Sequence, residues 1–225
     1  ASSMLSSPNM SERYVAWQQL HKVGAKAEGT LLELWKSDDQ RIRARALHLL
    51  ARIKGAEKKY INLALKDNNP DIRITGIRIA RERGLDVIPF VKKMVNDKDA
   101  GVRRACAIAL RHNESPEAPA LWTKLAQQHD GKDRWYLEAL GLALNKQQDK
   151  FFGAWLEAIG SDWDTPAGRD IIWRSRSSKT SDLLVKILLN KKTKDEEKPR
   201  YIRALDFQSG PEKDAALIKL IGAGS

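Results

Sequence analysis

Apolar residues recur at steps of three and four through most of this chain, and the stretches that carry this period are cut at regular intervals by short polar breaks. The pattern predicts amphipathic helices and gives no alternation of the kind a strand would show. The breaks themselves repeat. Asp39-Gln-Arg-Ile-Arg43, Asn69-Pro-Asp-Ile-Arg73, Asp99-Ala-Gly-Val-Arg103 and Asp130-Gly-Lys-Asp-Arg134 each place Asp or Asn four residues before an Arg. In the first three an Ile or Val precedes the Arg, and a run of Ala, Ile and Leu follows it; the fourth has Asp133 at the apolar place. A short side-chain oxygen here can accept a hydrogen bond from the first helical turn, so each copy reads as a helix start.

Stop signals follow the same spacing. Gly24, Gly55, Gly84, Asn113 and Asn145 fall where these helices should end, and Gly and Asn best tolerate the left-handed conformation just past a helix. Between each stop and the next start lies another amphipathic segment, so one unit is a helical hairpin, A then B. A helices are expected near 27–36, 56–66 and 86–96, and B helices near 41–53, 71–83 and 101–111. A hairpin repeated at about thirty residues is the signature of an all-α solenoid. Ser11 to Val23 reads as a B helix without its A partner, capped by Ser11, which suggests an excised segment or a modified first cap. Residues 1–10 lack the period and are expected to fray, and Ala1-Ser-Ser-Met4 looks like a cut or engineered end. Residues 11–225 read as a single domain, with an insertion near 160–169 around Asp162-Trp-Asp-Thr-Pro-Ala-Gly-Arg169.

Charge changes the picture. The formal net charge is +11, which favours acidic partners without choosing among nucleic acid, an anionic surface and an acidic protein. Basicity belongs mainly to the B segments, and there the basic residues are all Arg, with a planar fork suited to carboxylate or phosphate. With Cys106 the only cysteine, no internal disulfide can form. Cys106 takes the place of Ala46 and Gly76 in earlier repeats and is expected to be a small core residue. No apolar run is long enough to span a bilayer.

The paired Asp and Arg positions resemble the HEAT-repeat family. By period the resemblance extends over nearly the whole chain; by motif it rests on Asp39/Arg43, Asp99/Arg103 and, more loosely, Asn69/Arg73 and Asp130/Arg134. It implies a right-handed superhelix with A helices outside and B helices inside, and a ladder of these Asp and Arg residues between successive repeats. It also implies that the B helices line a concave face, where Arg45, His48, Arg52, Arg78, Arg81, Arg104 and Arg111 would form a partner-binding stripe. Trp163, in the insertion, is a further candidate contact residue. More narrowly, Asp162-Trp-Asp-Thr-Pro-Ala-Gly-Arg-Asp-Ile-Ile-Trp-Arg174 and Pro199-Arg-Tyr-Ile-Arg-Ala-Leu-Asp-Phe-Gln208 look like parts of the HEAT region in large secreted proteins of planctomycete type. Those proteins join it to a dehydrogenase-like propeller and a haem-binding module. That resemblance implies a periplasmic or secreted setting, and any dehydrogenase or haem chemistry would lie outside this chain.

Nothing in the sequence supplies a phosphate loop, a nucleophile elbow or a paired-Cys metal site. His21, His112 and His129 fall at helix ends and are expected at the surface; no metal and no cofactor is expected. Asp162, Asp164 and Asp170 form the only carboxylate cluster that a catalytic argument could use, and turn formation and capping of a helix near Pro166 are its plainer roles. Most of the tryptophans fall at helical spacing and are expected in the core. These observations together predict a non-catalytic, monomeric protein-interaction scaffold that docks an acidic partner or a neighbouring domain. The alternative is a nucleic-acid binder or HEAT-like DNA glycosylase using the same basic face; a HEAT-like pigment lyase has no specific residue in its favour.

Overall fold

The computed structural model describes residues 3–223, and among them only helices, turns and bends occur. The all-α class expected from the sequence is the class observed. Contacts divide the chain after Ala105 into two compact units, where the repeat alone suggests one domain. The ends of 1–10 and 11–225 at Ala1, Ser2, Gly224 and Ser225 lie outside the described residues. The rest of the first ten residues is not frayed: Ser3–Ser6 forms a 3-10 turn and Leu5 is buried at 1 % exposure. The Arg45 guanidinium fixes this turn by donating to the Leu5 carbonyl at 2.6 Å.

In the first unit, α1 (Met10–Val23) is followed by a 3-10 turn (Gly24–Ala27), α2 (Glu28–Trp35), α3 (Gln40–Leu50), α4 (Glu57–Ala64), α5 (Pro70–Glu82) and α6 (Ile88–Met94), and α7 (Ala100–Ala109) begins there. Helices α2 and α3 pair as a hairpin, as do α4 and α5, and α3 packs sideways on both α1 and α5. The starts follow the expected chemistry. Asp39 accepts the Arg41 N–H at 2.8 Å, Asn69 the Asp71 N–H at 2.8 Å, and Asp99 the Val102 N–H at 3.1 Å. Such caps are worth about 1 kcal/mol each. Helix α1 is capped by Asn9, which accepts the Ser11 N–H at 2.9 Å; Ser11, expected to cap, already lies inside the helix.

The core between the two layers is built from Leu31, Leu47, Leu50, Tyr60, Ile61, Ile72 and Ile77, each at most 1 % exposed. Burying one such side chain stabilises by roughly 1.5–3 kcal/mol. Close approach of α4 and α5 sets the residue at position 76: a Cβ there would lie 3.1 Å from Ala64 Cβ and 3.2 Å from Leu65 Cδ2. Ala46 and Cys106 hold the matching places and are both fully buried, as expected for small residues at a helix crossing.

The second unit contains α8 (Ala118–Ala126), α9 (Arg134–Ala143), α10 (Gln148–Ile159), α11 (Pro166–Arg174), α12 (Thr180–Leu189), α13 (Lys198–Leu205) and α14 (Pro211–Ala223). In it α8 packs on α10 and α12 on α14, while α9, α11 and α13 pack in sequence and α12 lies against both α11 and α13. Aromatic groups fill it. Trp122, Phe151, Phe152 and Trp155 are fully buried, and Trp122 donates its Nε1–H to the Leu140 carbonyl at 3.1 Å.

Three details of the expected punctuation change here. Helix α9 is capped by Asp133, which accepts the Tyr136 N–H at 3.0 Å, while Asp130 closes the preceding turn by accepting the Lys132 N–H. The left-handed positions after α7 and α9 are His112 and Lys146, one residue away from the Asn113 and Asn145 expected there; Asn113 instead accepts the Ser115 N–H. The insertion is shorter than 160–169, because Pro166 opens α11 with Thr165 as its cap. Gly168 belongs to that first turn, and no larger residue fits: an added Cβ would sit 2.0 Å from the Trp163 carbonyl oxygen.

Candidate partner-docking face

The arginines of the B helices fall into two populations. The first is spent inside the protein. Arg73 is buried and grips Asp97 with both arms of its fork, Nε to Oδ2 at 2.7 Å and Nη2 to Oδ1 at 2.7 Å, while Nη1 donates to the Asp67 and Asn68 carbonyls. Arg43 repeats the arrangement one hairpin earlier, pairing with Asp67 and donating to the Trp35 carbonyl, with its guanidinium 4.8 Å from the Trp35 ring centre. Arg103 donates to the Asp97 and Lys98 carbonyls at 2.7 and 3.2 Å. Asp97 illustrates the electrostatics. Burial alone would raise its pKa, but hydrogen bonds from Arg73 and from the Asp99 N–H hold it below the ordinary carboxylate value.

This is a ladder, but its acidic rungs differ from those the motif suggests. Asp39, Asn69 and Asp99 cap their own helices; the carboxylates that reach a neighbouring repeat's arginine are Asp67 and Asp97, two residues earlier. In the first repeat that place is Ser37, which accepts the Asp39 N–H. In the fourth copy neither member joins a rung of this kind: Asp130 makes a turn and Arg134 is exposed.

The second population lies outside the ladder. Arg78 and Arg81 stand one turn apart on α5, both exposed, and among the described residues neither has an ion-pair partner. Helix α3 lies beside α5 and carries Arg45 and His48 three residues apart on one face, with Arg52 in the turn just past its end. The two helices are tied electrically at His48: burial and the charge of Arg52 lower its pKa against the opposing pull of Glu82. Arg52 in turn lies 5.2 Å from the Trp17 ring of α1, and that ring stacks on His21. Arg45 is brought close to Arg13 and Arg41, and burial together with these like charges lowers its pKa. The first unit therefore assembles Arg45, His48, Arg52, Arg78 and Arg81 with Trp17 on the layer made by α1, α3 and α5. Arg104 is half-buried on α7, where its guanidinium lies near Gly101. Arg111 and Trp163 belong to the second unit; Arg111 is exposed and Trp163 half-buried.

Sequence reasoning missed two features of the second unit. His129, expected at the surface, is buried, and its Nε2 lies 3.1 Å from Asp170 Oδ2. Asp170 also accepts from Arg200 at 2.7 Å. These bonds, with the positive charge of Arg200, hold the Asp170 carboxyl below its ordinary range although burial would raise it. The carboxylate cluster is thus dispersed. Asp164 pairs with Arg169 at 2.5 Å and accepts from Asn190, Asp162 is exposed, and Asp170 faces the interior. Trp135 is the other surprise: it is 70 % exposed, and Trp17, Trp35, Trp163 and Trp173 are only half-buried, leaving Trp122 and Trp155 as the tryptophans of the core. Helical spacing places a ring on a helix without saying which arc of that helix is covered.

Among the described residues no helix is long and apolar enough to cross a membrane. No curated protein matches the chain. Residues 57–141 match the family model of HEAT repeats, a match that runs from α4 into α9 and includes the Arg73–Asp97 rung; this part of the chain is similar to repeats that commonly serve as protein-interaction scaffolds.

Proposed function

We propose that this chain is a non-catalytic docking module whose α1–α3–α5 layer receives a carboxylate-bearing protein partner or a neighbouring domain. The observation that carries the reading is the exposed, ion-unpaired pair Arg78 and Arg81 next to Arg45 and Arg52, while Arg43 and Arg73 are consumed by the ladder. Arginine forks gain most from planar, two-oxygen acceptors, and Trp17 and His48 add apolar area between the charges. Glu82, at the C-terminal end of α5, acts on His48 through its charge. The narrower likeness of 162–174 and 199–208 to secreted multidomain proteins supports a neighbouring catalytic domain as the docked partner, and with it a periplasmic or secreted setting.

A nucleic-acid ligand would use the same face, and salt separates the two. Contacts to six or more phosphates lose on the order of a thousandfold in affinity over a fourfold rise in salt, whereas a carboxylate partner seated on apolar contacts loses much less. The test is fluorescence anisotropy with labelled duplex DNA, single-stranded DNA and a Glu-rich helical peptide, using the chain and its Arg45→Ala/Arg78→Ala/Arg81→Ala variant. Peptide binding that survives salt and is lost in the variant is expected. DNA binding at physiological salt that vanishes in the variant, with no peptide binding, would replace this reading by the nucleic-acid one.

A further inference from the structure

The arginine-bearing layer of the first unit runs on into a surface that charge alone would not use. On α1, Met10, Tyr14 and Trp17 follow each other at four- and three-residue steps and share one face. Met10 is 76 % and Tyr14 60 % exposed. With Val15 and the buried Leu5 they line an open groove of about 680 Å³, and the guanidinium-bearing residues Arg13 and Arg45 line it too. Two residues belong to both surfaces. Arg45 stands on α3 one turn before His48, and the Trp17 ring that lines the groove lies 5.2 Å from the Arg52 guanidinium.

We propose that this groove receives the apolar side of an acidic amphipathic helix of the partner protein, whose carboxylates meet Arg13 and Arg45; the proposal rests on the carboxylate-docking reading above and names the kind of segment that docks. Lining, charge and continuity with the docking layer select this occupant. Among the described residues no carboxylate lines the groove. Glu12 lies on the opposite arc of α1, and Asp39 caps α3 and is held by Arg41 at 3.0 Å. Burial, and then the like charges of Arg13 and Arg41, lower the Arg45 pKa, so an anion here would relieve a crowding of positive charge. Arg45 gives Nη1 to the Leu5 carbonyl, and Arg13 gives Nη1 to the Ser7 and Pro8 carbonyls. Both forks keep Nε and Nη2 for a carboxylate.

A helix can offer both chemistries at once, with large apolar side chains at i, i+4 and i+7 on one arc and acids on its flanks. A purely acidic segment would leave the row of Met10, Tyr14 and Trp17 in water. A neutral apolar one would cover two guanidinium groups without a counter-charge, which costs more than it gains. Because Arg45 and Trp17 are shared, a segment seated in the groove continues onto the layer that carries Arg52, Arg78 and Arg81 rather than competing with it.

Fluorescence anisotropy of the full chain with three labelled helical peptides of equal length tests it. The first carries Leu at i, i+4 and i+7 with Glu on both flanks, the second has each Leu replaced by Ala, and the third has each Glu replaced by Gln. The first should bind about tenfold more tightly than either of the others. Met10→Ser/Tyr14→Ser, at two exposed positions, should keep the wild-type circular dichroism and close the gap between the first two peptides. Equal binding of those two, or a gap that survives the double substitution, would overturn the groove proposal and leave the docking reading standing. A Gln peptide as tight as its Glu parent would give the groove to a neutral apolar partner, and self-association of the chain that the double variant abolishes would give it to a second copy; either result overturns the proposal. If none of the three peptides binds, the docking reading falls and this proposal with it.

Discussion

The two units hold their arginines in opposite ways. In the first, the ladder residues Arg43 and Arg73 take their carboxylates from a position 24 residues onward, Arg41 is held by Asp39 and Arg45 by the Leu5 carbonyl, and Arg78 and Arg81 are left to the surface. In the second, Arg111, Arg134 and Arg203 are exposed but three other arginines are pinned one by one in irregular networks: Arg169 by Asp164 and Glu197, Arg174 by Glu138, Arg200 by Asp170. Arg200 also lies 4.6 Å from the Trp173 ring and Arg176 4.7 Å from Phe207. A basic composition is therefore not a binding face by itself. Where each arginine has a local acid or ring, charge becomes internal structure; where a regular ladder satisfies one arginine per repeat, the others remain available.

That contrast can be broken most forcefully at Asp97. Asp97→Ala should destabilise by about 3–5 kcal/mol, because it strands the buried Arg73 charge, and a denaturant titration of the full chain measures it. Asp170→Asn removes a carboxylate from a network whose arginine is partly solvated, so a loss of about 2 kcal/mol is expected from the weakened charge-assisted bonds. Acid sharpens the comparison. Asp97 and Asp170 both have native pKa values below their ordinary 3.8, so their contribution is complete above that value and is lost as pH falls through the lower native values. Thermal unfolding from pH 5 downward should show this loss, and Asp97→Asn should flatten the slope. The smallest effect is expected at the surface, where Arg78→Ala and Arg81→Ala should each change stability by less than about 0.5 kcal/mol while reducing binding of the acidic peptide. A large stability loss in either would show that these arginines serve the fold.

The hairpin repeat was legible because caps, stops and apolar period are local signals, and Asp39, Asn69 and Asp99 act as the local chemistry demands. The ladder was half legible. Each inter-helix loop carries two short polar residues, Asp67 with Asn69 and Asp97 with Asp99, and spacing alone does not tell which one turns to its own helix and which reaches the preceding repeat. The His129–Asp170–Arg200 cluster was invisible, since it joins residues 41 and 30 positions apart and no local period marks such a meeting. Of the proposed docking stripe, Arg45 and His48 lie on α3, Arg52 just past its end, and Arg78 and Arg81 on α5; their docking role is the proposal made above. Trp135 escaped because the fourth repeat keeps the helical period but turns the first ring of α9 to solvent.

The rung from Arg73 to Asp97 has a consequence for how such a chain can change length. Its arginine and its acid both lie between residues 68 and 97, and Arg43 finds its own acid at Asp67, just before that stretch. A tandem copy of residues 68–97 would therefore carry a complete rung with it and leave the Arg43–Asp67 pair intact. Growth or loss of that whole stretch leaves neither Arg43 nor Arg73 without its acid, whereas a cut of half that length would orphan one. The gene has a natural unit of editing, and its boundaries are set by where buried charges are neutralised.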